Sequence, residues 1–108
     1  MAGVATELNN IIRRYRQELV KSGIRPGNIF LYGSYARGEA HEGSDIDLII
    51  VSPDFKGLNL LKRLETLGMA AGRVLEPIQA YGFTPQEIEE LEPDSFWGGI
   101  LKEQATPV

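Results

Sequence analysis

The stretch Leu31-Tyr-Gly-Ser-Tyr-Ala-Arg-Gly-Glu-Ala-His-Glu-Gly-Ser-Asp-Ile-Asp-Leu-Ile-Ile-Val51 decides the fold of this chain. Within it, Asp45 and Asp47 alternate with apolar residues, which predicts a strand that projects both carboxylates from one face. Two such charges about 6.6 Å apart repel by roughly 2.5 kcal/mol at an effective dielectric of about 20. A divalent cation between them would turn the repulsion into attraction, and magnesium suits carboxylate oxygens. The alternative is that one of the two acids is a solvated residue at a sheet edge.

The same stretch contains a turn that is suited to phosphate. Gly33 ends a short apolar strand pattern, and its missing Cβ lets the backbone approach a phosphate closely. Ser34 then opens a helical turn, whose free N–H groups and dipole favour an anion. Taken alone, the pair is equally typical of a plain strand-to-helix turn with an N-cap serine. Followed by Ser-Asp-Ile-Asp on a second strand, it predicts a phosphate cradle beside a metal-binding pair.

Helical and strand patterns alternate on both sides of this stretch. The predicted strands are Ile29–Tyr32, Asp45–Ser52 and Val74–Tyr81. The predicted helices span about Thr6 to Ser22, the leucines from Leu58 to Ala71, a capping box from Thr84 to Glu87 that opens a helix ending near Leu91, and Pro93–Glu103. We therefore expect one α/β (α+β) domain over residues 1–108, with a small mixed sheet flanked by helices.

Charge and composition limit the classes of function. The chain has 108 residues, a net charge of −4 and no cysteine. The negative charge argues against a general nucleic-acid binder, which would show a basic excess. The lack of cysteine excludes disulfides and thiolate metal sites, and it fits a cytoplasmic protein. No apolar run approaches the ~20 residues of a membrane span, and the polar helical pattern after Met1 does not predict a signal peptide.

These motifs resemble the signature of nucleotidyltransferases of the DNA polymerase β superfamily, in particular the minimal nucleotidyltransferases. The resemblance covers Ile29 to about Leu91, and the first helix also fits it. It implies the nucleotidyltransferase fold. It also implies that Gly33 and Ser34 hold a triphosphate, and that Asp45 and Asp47 bind magnesium, in a two-metal arrangement if a second ion is held.

Three further side chains of the stretch have two interpretations each. Arg37 matches the Ala-Arg-Gly element of the family and could reach a phosphate, or it could be a surface arginine. Ser44 could donate to a phosphate or orient Asp45, or it could simply begin the strand. His41 has no second histidine or cysteine to join it, so we expect it to be exposed to solvent rather than to bind a metal.

The chain departs from the family pattern at one position. The resemblance implies a third acid on a neighbouring strand, and the matching position holds Gln79. Glutamine is uncharged and is a poor general base. The nearest acid, Glu76, lies three residues earlier, which places it on the opposite face of a regular strand unless a bulge at Pro77 restores it.

The resemblance implies transfer of a nucleoside monophosphate from a nucleoside triphosphate, ATP foremost, to an acceptor hydroxyl. It also implies a small HEPN-domain protein as partner, with this chain as the antitoxin of a toxin–antitoxin pair. The alternative is a nucleotide-binding antitoxin or regulatory subunit with weak or no turnover, which Gln79 favours. The apolar residues of the last helix predict either a surface for a partner or for self-association, or packing on the chain's own sheet: Phe96, Trp97, Ile100 and Leu101.

Overall fold

The computed structural model describes residues 2–108, with side chains from residue 6 onward. Its helices are α1 (Ala2–Lys21), α2 (Gly33–Ala36), α3 (Leu60–Val74), α4 (Pro85–Glu89) and α5 (Phe96–Glu103). Its strands are β1 (Asn28–Tyr32), β2 (Ile46–Val51), β3 (Ile78–Phe83) and β4 (Thr106–Pro107), and a short 3₁₀ turn covers Pro53–Phe55. No helix within residues 2–108 has the length and apolar character that crossing a membrane requires.

The four strands form one mixed sheet in the order β3-β2-β1-β4. β1 pairs antiparallel with β2 and with β4, whereas β2 and β3 run parallel. A parallel pair needs a crossover connection, and α3 supplies it. The predicted mixed sheet flanked by helices is therefore confirmed.

The two faces of the sheet have different covers. On the first face, Leu48 and Ile50 of β2 pack in one buried cluster with α1 and α3, including Tyr15, Leu19 and Leu67. Tyr15 and Leu67 are also joined by a hydrogen bond of 3.0 Å from the tyrosine hydroxyl to the Leu67 carbonyl oxygen. This face holds the larger core. On the second face, Ile49 and Val51 of β2 pack with the residues of α5, among which Ile100 is buried.

Several predicted boundaries are wrong, and the largest error concerns β3. The strand was predicted from Val74, but α3 runs through Val74, which is buried on the helix face that meets the core. The helix ends because Leu75 adopts a left-handed conformation at φ 62°. Pairing of β3 with β2 begins only at Ile78, opposite Ile46.

The other boundaries shift by a few residues. α1 begins at Ala2, β2 begins at Ile46 rather than at Asp45, and α5 begins at Phe96 because Ser95 caps it and accepts a hydrogen bond from Gly98 N–H. The capping box at Thr84 is confirmed in full, although α4 ends at Glu89 rather than near Leu91. β4 was not predicted.

Candidate active site

Gly33 lies directly against Asp47. The glycine is the first residue of α2, and its φ of +74° is in the left-handed region that L side chains rarely adopt. A Cβ at this position would lie 3.0 Å from Cγ of Asp47 and 3.2 Å from its Cβ. Glycine is therefore required here twice, by its backbone conformation and by the carboxylate that occupies the space a side chain would fill. The predicted neighbourhood of the Gly-Ser turn and the strand aspartate is present.

Three side-chain positions lie in one row across the sheet, on its second face. Tyr32 of β1 is paired with Asp47 of β2, and Asp47 is paired with Gln79 of β3. Paired residues on neighbouring strands project to the same face. The structure therefore places Gln79 beside Asp47, on the neighbouring strand where the family resemblance implies a third acid. Asp45 lies one residue before β2 and is exposed.

The electrostatics of this row favour a bound cation. Burial raises the pKa of the Asp47 carboxyl, the nearby charge of Asp45 raises it further, and Arg37 lowers it. Burial and then the charge of Asp47 raise the pKa of Tyr32 to about 12, with a smaller contribution from Tyr81. The Tyr32 hydroxyl is therefore neutral at physiological pH and able to donate a hydrogen bond. A cation beside Asp47 would offset the cost of holding that carboxylate in its charged form.

Arg37 and Ser44 both have contacts of their own. Nε of Arg37 donates to Glu39 Oε1 at 2.8 Å, and half of the arginine side chain is exposed. Oγ of Ser44 accepts a hydrogen bond of 2.9 Å from the backbone N–H of His41, which closes the loop before β2. His41 is exposed, as predicted, and its Nδ1 lies 2.9 Å from the carbonyl oxygen of Glu42.

Glu76 does not join the row of Asp47. It precedes β3, lies 3.5 Å from Arg14 of α1, and lines a cavity with Ile46, whose side chain faces the first face of the sheet. The pairing of β2 with β3 is regular but begins only at Ile78, and the Ile78 N–H donates to the Glu76 carbonyl oxygen at 2.8 Å across Pro77. Glu76 therefore precedes a tight turn at Pro77 and lies outside the paired strand. Among the residues described, no group of three acidic, histidine or cysteine side chains could hold a metal ion.

The sequence did not predict the aromatic cover of the site. The ring of Trp97 lies 5.7 Å from that of Tyr32 and 4.8 Å from that of Tyr81. It also contacts Phe83 at 5.6 Å and Phe96 at 5.0 Å. Packing on the chain's own sheet is thus confirmed for Trp97 and Ile100, whereas Phe96 is 72% exposed. The alternation of Gln79, Tyr81 and Phe83 was the available signal, because these side chains share one face.

Comparison of the sequence with models of known families matches one family. The family model described as a nucleotidyltransferase domain matches residues 10–95, which is well over half of the chain. The matched range contains Gly33, both aspartates and Gln79.

Several curated relatives are about two fifths identical to this chain over the stretches that align. Protein adenylyltransferase MntA of Thermococcus cleftensis is 39% identical over 61 residues, which is 55% of this chain and 57% of the relative. Two proteins of Methanocaldococcus jannaschii, provisionally named protein adenylyltransferases, are 40% identical over 53 residues and 38% identical over 60. These alignments cover 46% and 56% of this chain, and 60% and 58% of the relatives. The chain therefore spans a little over half the length of these curated relatives.

Two solved structures share the fold. A toxin–antitoxin crystallised with AMP-PNP superposes with a TM-score of 0.58 at 19% identity, over 86% of this chain and 68% of that one. A Sulfolobus solfataricus structure, provisionally described as a nucleotidyltransferase, gives a TM-score of 0.51 at 20% identity and covers 79% of each chain. These two structures confirm the predicted fold class, while the family model and the curated relatives confirm the resemblance to minimal nucleotidyltransferases.

Proposed function

Because this chain belongs to the family of nucleotidyltransferase domains, we propose that it transfers a nucleoside monophosphate from a magnesium-bound nucleoside triphosphate to an acceptor hydroxyl. The acceptor oxygen forms a bond to the α-phosphorus, the bond from that phosphorus to the bridging oxygen breaks, and pyrophosphate leaves. The acceptor proton passes to solvent or to a base. ATP is the favoured triphosphate, since the named relatives are protein adenylyltransferases.

The observation that carries this proposal is the approach of the Gly33 backbone to the Asp47 carboxylate. This approach brings a backbone turn that could bind phosphate close to a carboxylate that could bind magnesium. A magnesium triphosphate needs both kinds of contact. Asp45 and Asp47 would hold the ion, which fits their oxygen-only donor set and the raised pKa of Asp47. Magnesium in such a site neutralises phosphate charge in the transition state.

The chain's own residues supply positioning. The free N–H groups at the start of α2 and the Ser34 hydroxyl would bind the β- and γ-phosphates. Arg37 would reach a phosphate after releasing Glu39, since the pair is exposed at the surface and such pairs contribute little. Ser44 keeps its loop in place, because its hydroxyl already accepts from His41. No protein nucleophile is needed, because positioning and charge neutralisation provide most of the catalysis in phosphoryl transfer.

The acceptor would be presented by another molecule. The structural neighbour that contains a toxin–antitoxin pair supports a place for this chain in such a pair, as the antitoxin. A small HEPN-domain toxin that carries the acceptor hydroxyl is the partner we propose, in the cytoplasm.

The test of the proposal is the dependence of nucleotide binding on a divalent cation. We expect ATP to bind in magnesium and to bind at least about tenfold more weakly in EDTA, because Asp45 and Asp47 repel an unshielded triphosphate. Isothermal titration calorimetry with both buffers measures the difference. Adenosine, which carries no phosphate, serves as the control and should show no magnesium dependence. Equal ATP affinity in the two buffers would contradict a metal-bridged site.

Gln79 supports a second candidate function, a nucleotide-binding antitoxin with little or no turnover. Its pairing with Asp47 puts an uncharged amide where a carboxylate would bind the catalytic metal and accept the acceptor's proton. Such a protein would bind the magnesium triphosphate with Asp45 and Asp47 and would act on its partner through binding alone.

The Gln79→Glu variant separates the two functions. General-base assistance is worth about 10²–10⁴-fold, so we expect this variant to raise a slow transfer rate, measured as label from α-³²P-ATP on the co-purified partner. Glu76→Gln is the matched control and should change little, because Glu76 lines a cavity on the other face. A fast wild-type enzyme that Glu76→Gln inactivates would instead make Glu76 the third acid.

A further inference from the structure

Two adjacent glycines in α5 differ in what the fold requires of them. A Cβ on Gly98 would lie 2.9 Å from the carbonyl carbon of Glu92 and 2.9 Å from Oγ of Ser95, so packing explains this glycine. A Cβ on Gly99 would meet no atom within 4 Å. Glycine inside a helix destabilises it relative to alanine. The fold therefore accounts for Gly98 and leaves Gly99 without a structural reason.

The space beside Gly99 is part of a cavity of about 350 Å³. The cavity lies between α5 and the end of β1, and it extends to Gly33 and Arg37. In the proposed function, the backbone of Gly33 and the guanidinium of Arg37 bind the phosphates. A group attached to the phosphates could therefore enter the cavity without any movement of the fold.

Phe96 forms one wall of this cavity and is 72% exposed. Its ring is held in an edge contact with Trp97, at 5.0 Å between centroids and 82° between planes. Trp97 is itself packed on Tyr32, which lines the same cavity. An exposed aromatic ring that is positioned by a packed neighbour is suited to stacking with a nucleobase, since every base presents a π-face.

The polar groups of the cavity come from two elements. Glu103 and Gln104 line it from the C-terminal end of α5, whereas Gly33 and Arg37 line it from α2 and the residue that follows it. A carboxylate would repel phosphate, so the phosphates belong at the Arg37 end. Glu103 accepts hydrogen bonds only, and Gln104 both donates and accepts, which suits the amino group and ring nitrogens of a purine.

We propose that the cavity between Phe96 and Gly99 is the subsite for the nucleoside of the triphosphate, with the base stacked on Phe96 and its polar edge toward Glu103 and Gln104. This inference rests on the proposed function, because it takes the phosphates to lie at Gly33 and Arg37. The subsite prefers purines, which have the larger stacking surface.

The experiment compares two ligands, magnesium ATP and magnesium tripolyphosphate, the second of which has no nucleoside. We expect Gly99→Leu, which fills the cavity, and Phe96→Ala, which removes the stacking ring, to weaken ATP binding about ten- to a hundredfold. Neither should change the affinity for tripolyphosphate by more than about twofold. Gly72→Leu is the matched control, because Gly72 also lies in a helix with no atom within 4 Å of a Cβ.

Each outcome of the titration tests either the nucleoside subsite or the proposed function. Unchanged ATP affinity in Gly99→Leu and Phe96→Ala, or equal losses for both ligands, would overturn the nucleoside subsite while the phosphate site stands. If Gly99→Leu binds ATP normally but no longer transfers it, the cavity belongs to the acceptor, and the inference is also wrong. Failure of the wild type to bind either ligand would overturn the proposed function itself, and the subsite with it. Thermal melts of all three variants exclude unfolding as the cause.

Discussion

The Asp47→Asn variant is expected to lose magnesium-dependent nucleotide binding and to melt at a higher temperature than the wild type in EDTA. Asparagine keeps the shape that fits against Gly33 but removes the charge that would attract the cation under the proposed function. Loss of a direct metal ligand should lower ATP affinity by more than about a hundredfold, since even residues that only orient ligands are worth 10–100-fold. Calorimetry and thermal melts in magnesium and in EDTA measure both effects.

The sign of the stability change follows from the raised pKa of Asp47. Burial and Asp45 raise it above the unfolded value, so the ionised carboxylate destabilises the folded state. That penalty is absent below the unfolded pKa and is fully present once the pH exceeds the folded pKa. At pH 7 the substitution removes that penalty, so we expect the variant to have the higher Tm in metal-free buffer.

Asp94→Asn provides the control, because Asp94 is exposed in the segment before α5. It should change neither ATP affinity nor Tm appreciably. A marked loss of stability for Asp47→Asn in EDTA would contradict the metal-site interpretation and would identify Asp47 as a residue that the apo fold needs.

The Arg63→Ala variant is expected to lose about 3 kcal/mol of unfolding free energy, which lowers Tm by at least roughly 12 °C. The side chain of Arg63 is only 12% exposed, and its guanidinium donates two hydrogen bonds to Glu87, of 2.6 and 3.0 Å. It also donates to the carbonyl oxygens of Leu58, Gly82 and Phe55 at 2.8 to 3.1 Å. Its removal would leave these acceptors without their donor and would remove the hydrogen bonds that join α3 to β3 and α4.

Arg25→Ala is the matched control for this stability loss. Arg25 is 80% exposed and its guanidinium lies 3.5 Å from Asp54, so its removal should cost less than about 1 kcal/mol. Chemical denaturation of the two variants measures the contrast. Equal effects would show that the contacts of Arg63 contribute no more than a surface ion pair.

The stability that Arg63 provides should also depend on pH. The hydrogen bonds from Arg63 hold the pKa of Glu87 below its usual value, and the Thr84 backbone N–H adds to this. A lowered folded pKa means that the contribution is complete above the unfolded pKa and disappears as the pH falls through the folded value. The free-energy difference between wild type and Arg63→Ala should therefore shrink below about pH 4.

The sequence predicted the local features that each depend on one residue type at one spacing. Gly33, Asp47 and the capping box at Thr84 were identifiable because each needs a particular residue type at a particular spacing. The end of α3 was not, because Val74 and Leu75 continue an apolar pattern and Leu75 stops the helix in a conformation that usually marks glycine.

Tertiary packing determined the rest. Whether Trp97 would face solvent or the sheet depended on the pairing of β2 with β3, which brings Tyr81 and Phe83 under it. β4 pairs at only two positions, Thr106 and Pro107, and Pro107 lacks the N–H that a strand pattern relies on. The cavity between Phe96 and Gly99 could not be predicted, because the sequence does not distinguish Gly99 from Gly98.

Gln79 lies exposed on β3, which is an outer strand of the sheet, whereas its neighbour Asp47 is on β2 with a strand on either side. Substitutions at exposed positions of this kind usually change stability by no more than about 0.5 kcal/mol. Exchange of an acid for its amide at position 79 would therefore cost the fold little, because it removes a like charge opposite Asp47, while under the proposed function it would slow catalysis strongly. In the history of a lineage, selection for a folded chain would not oppose the loss of this carboxylate, whereas its return would place a second charge opposite Asp47 that only a bound cation offsets. Catalysis and folding thus place different demands on position 79. A folded protein that binds nucleotide without turnover can therefore be an evolutionary intermediate between an enzyme and a regulatory protein.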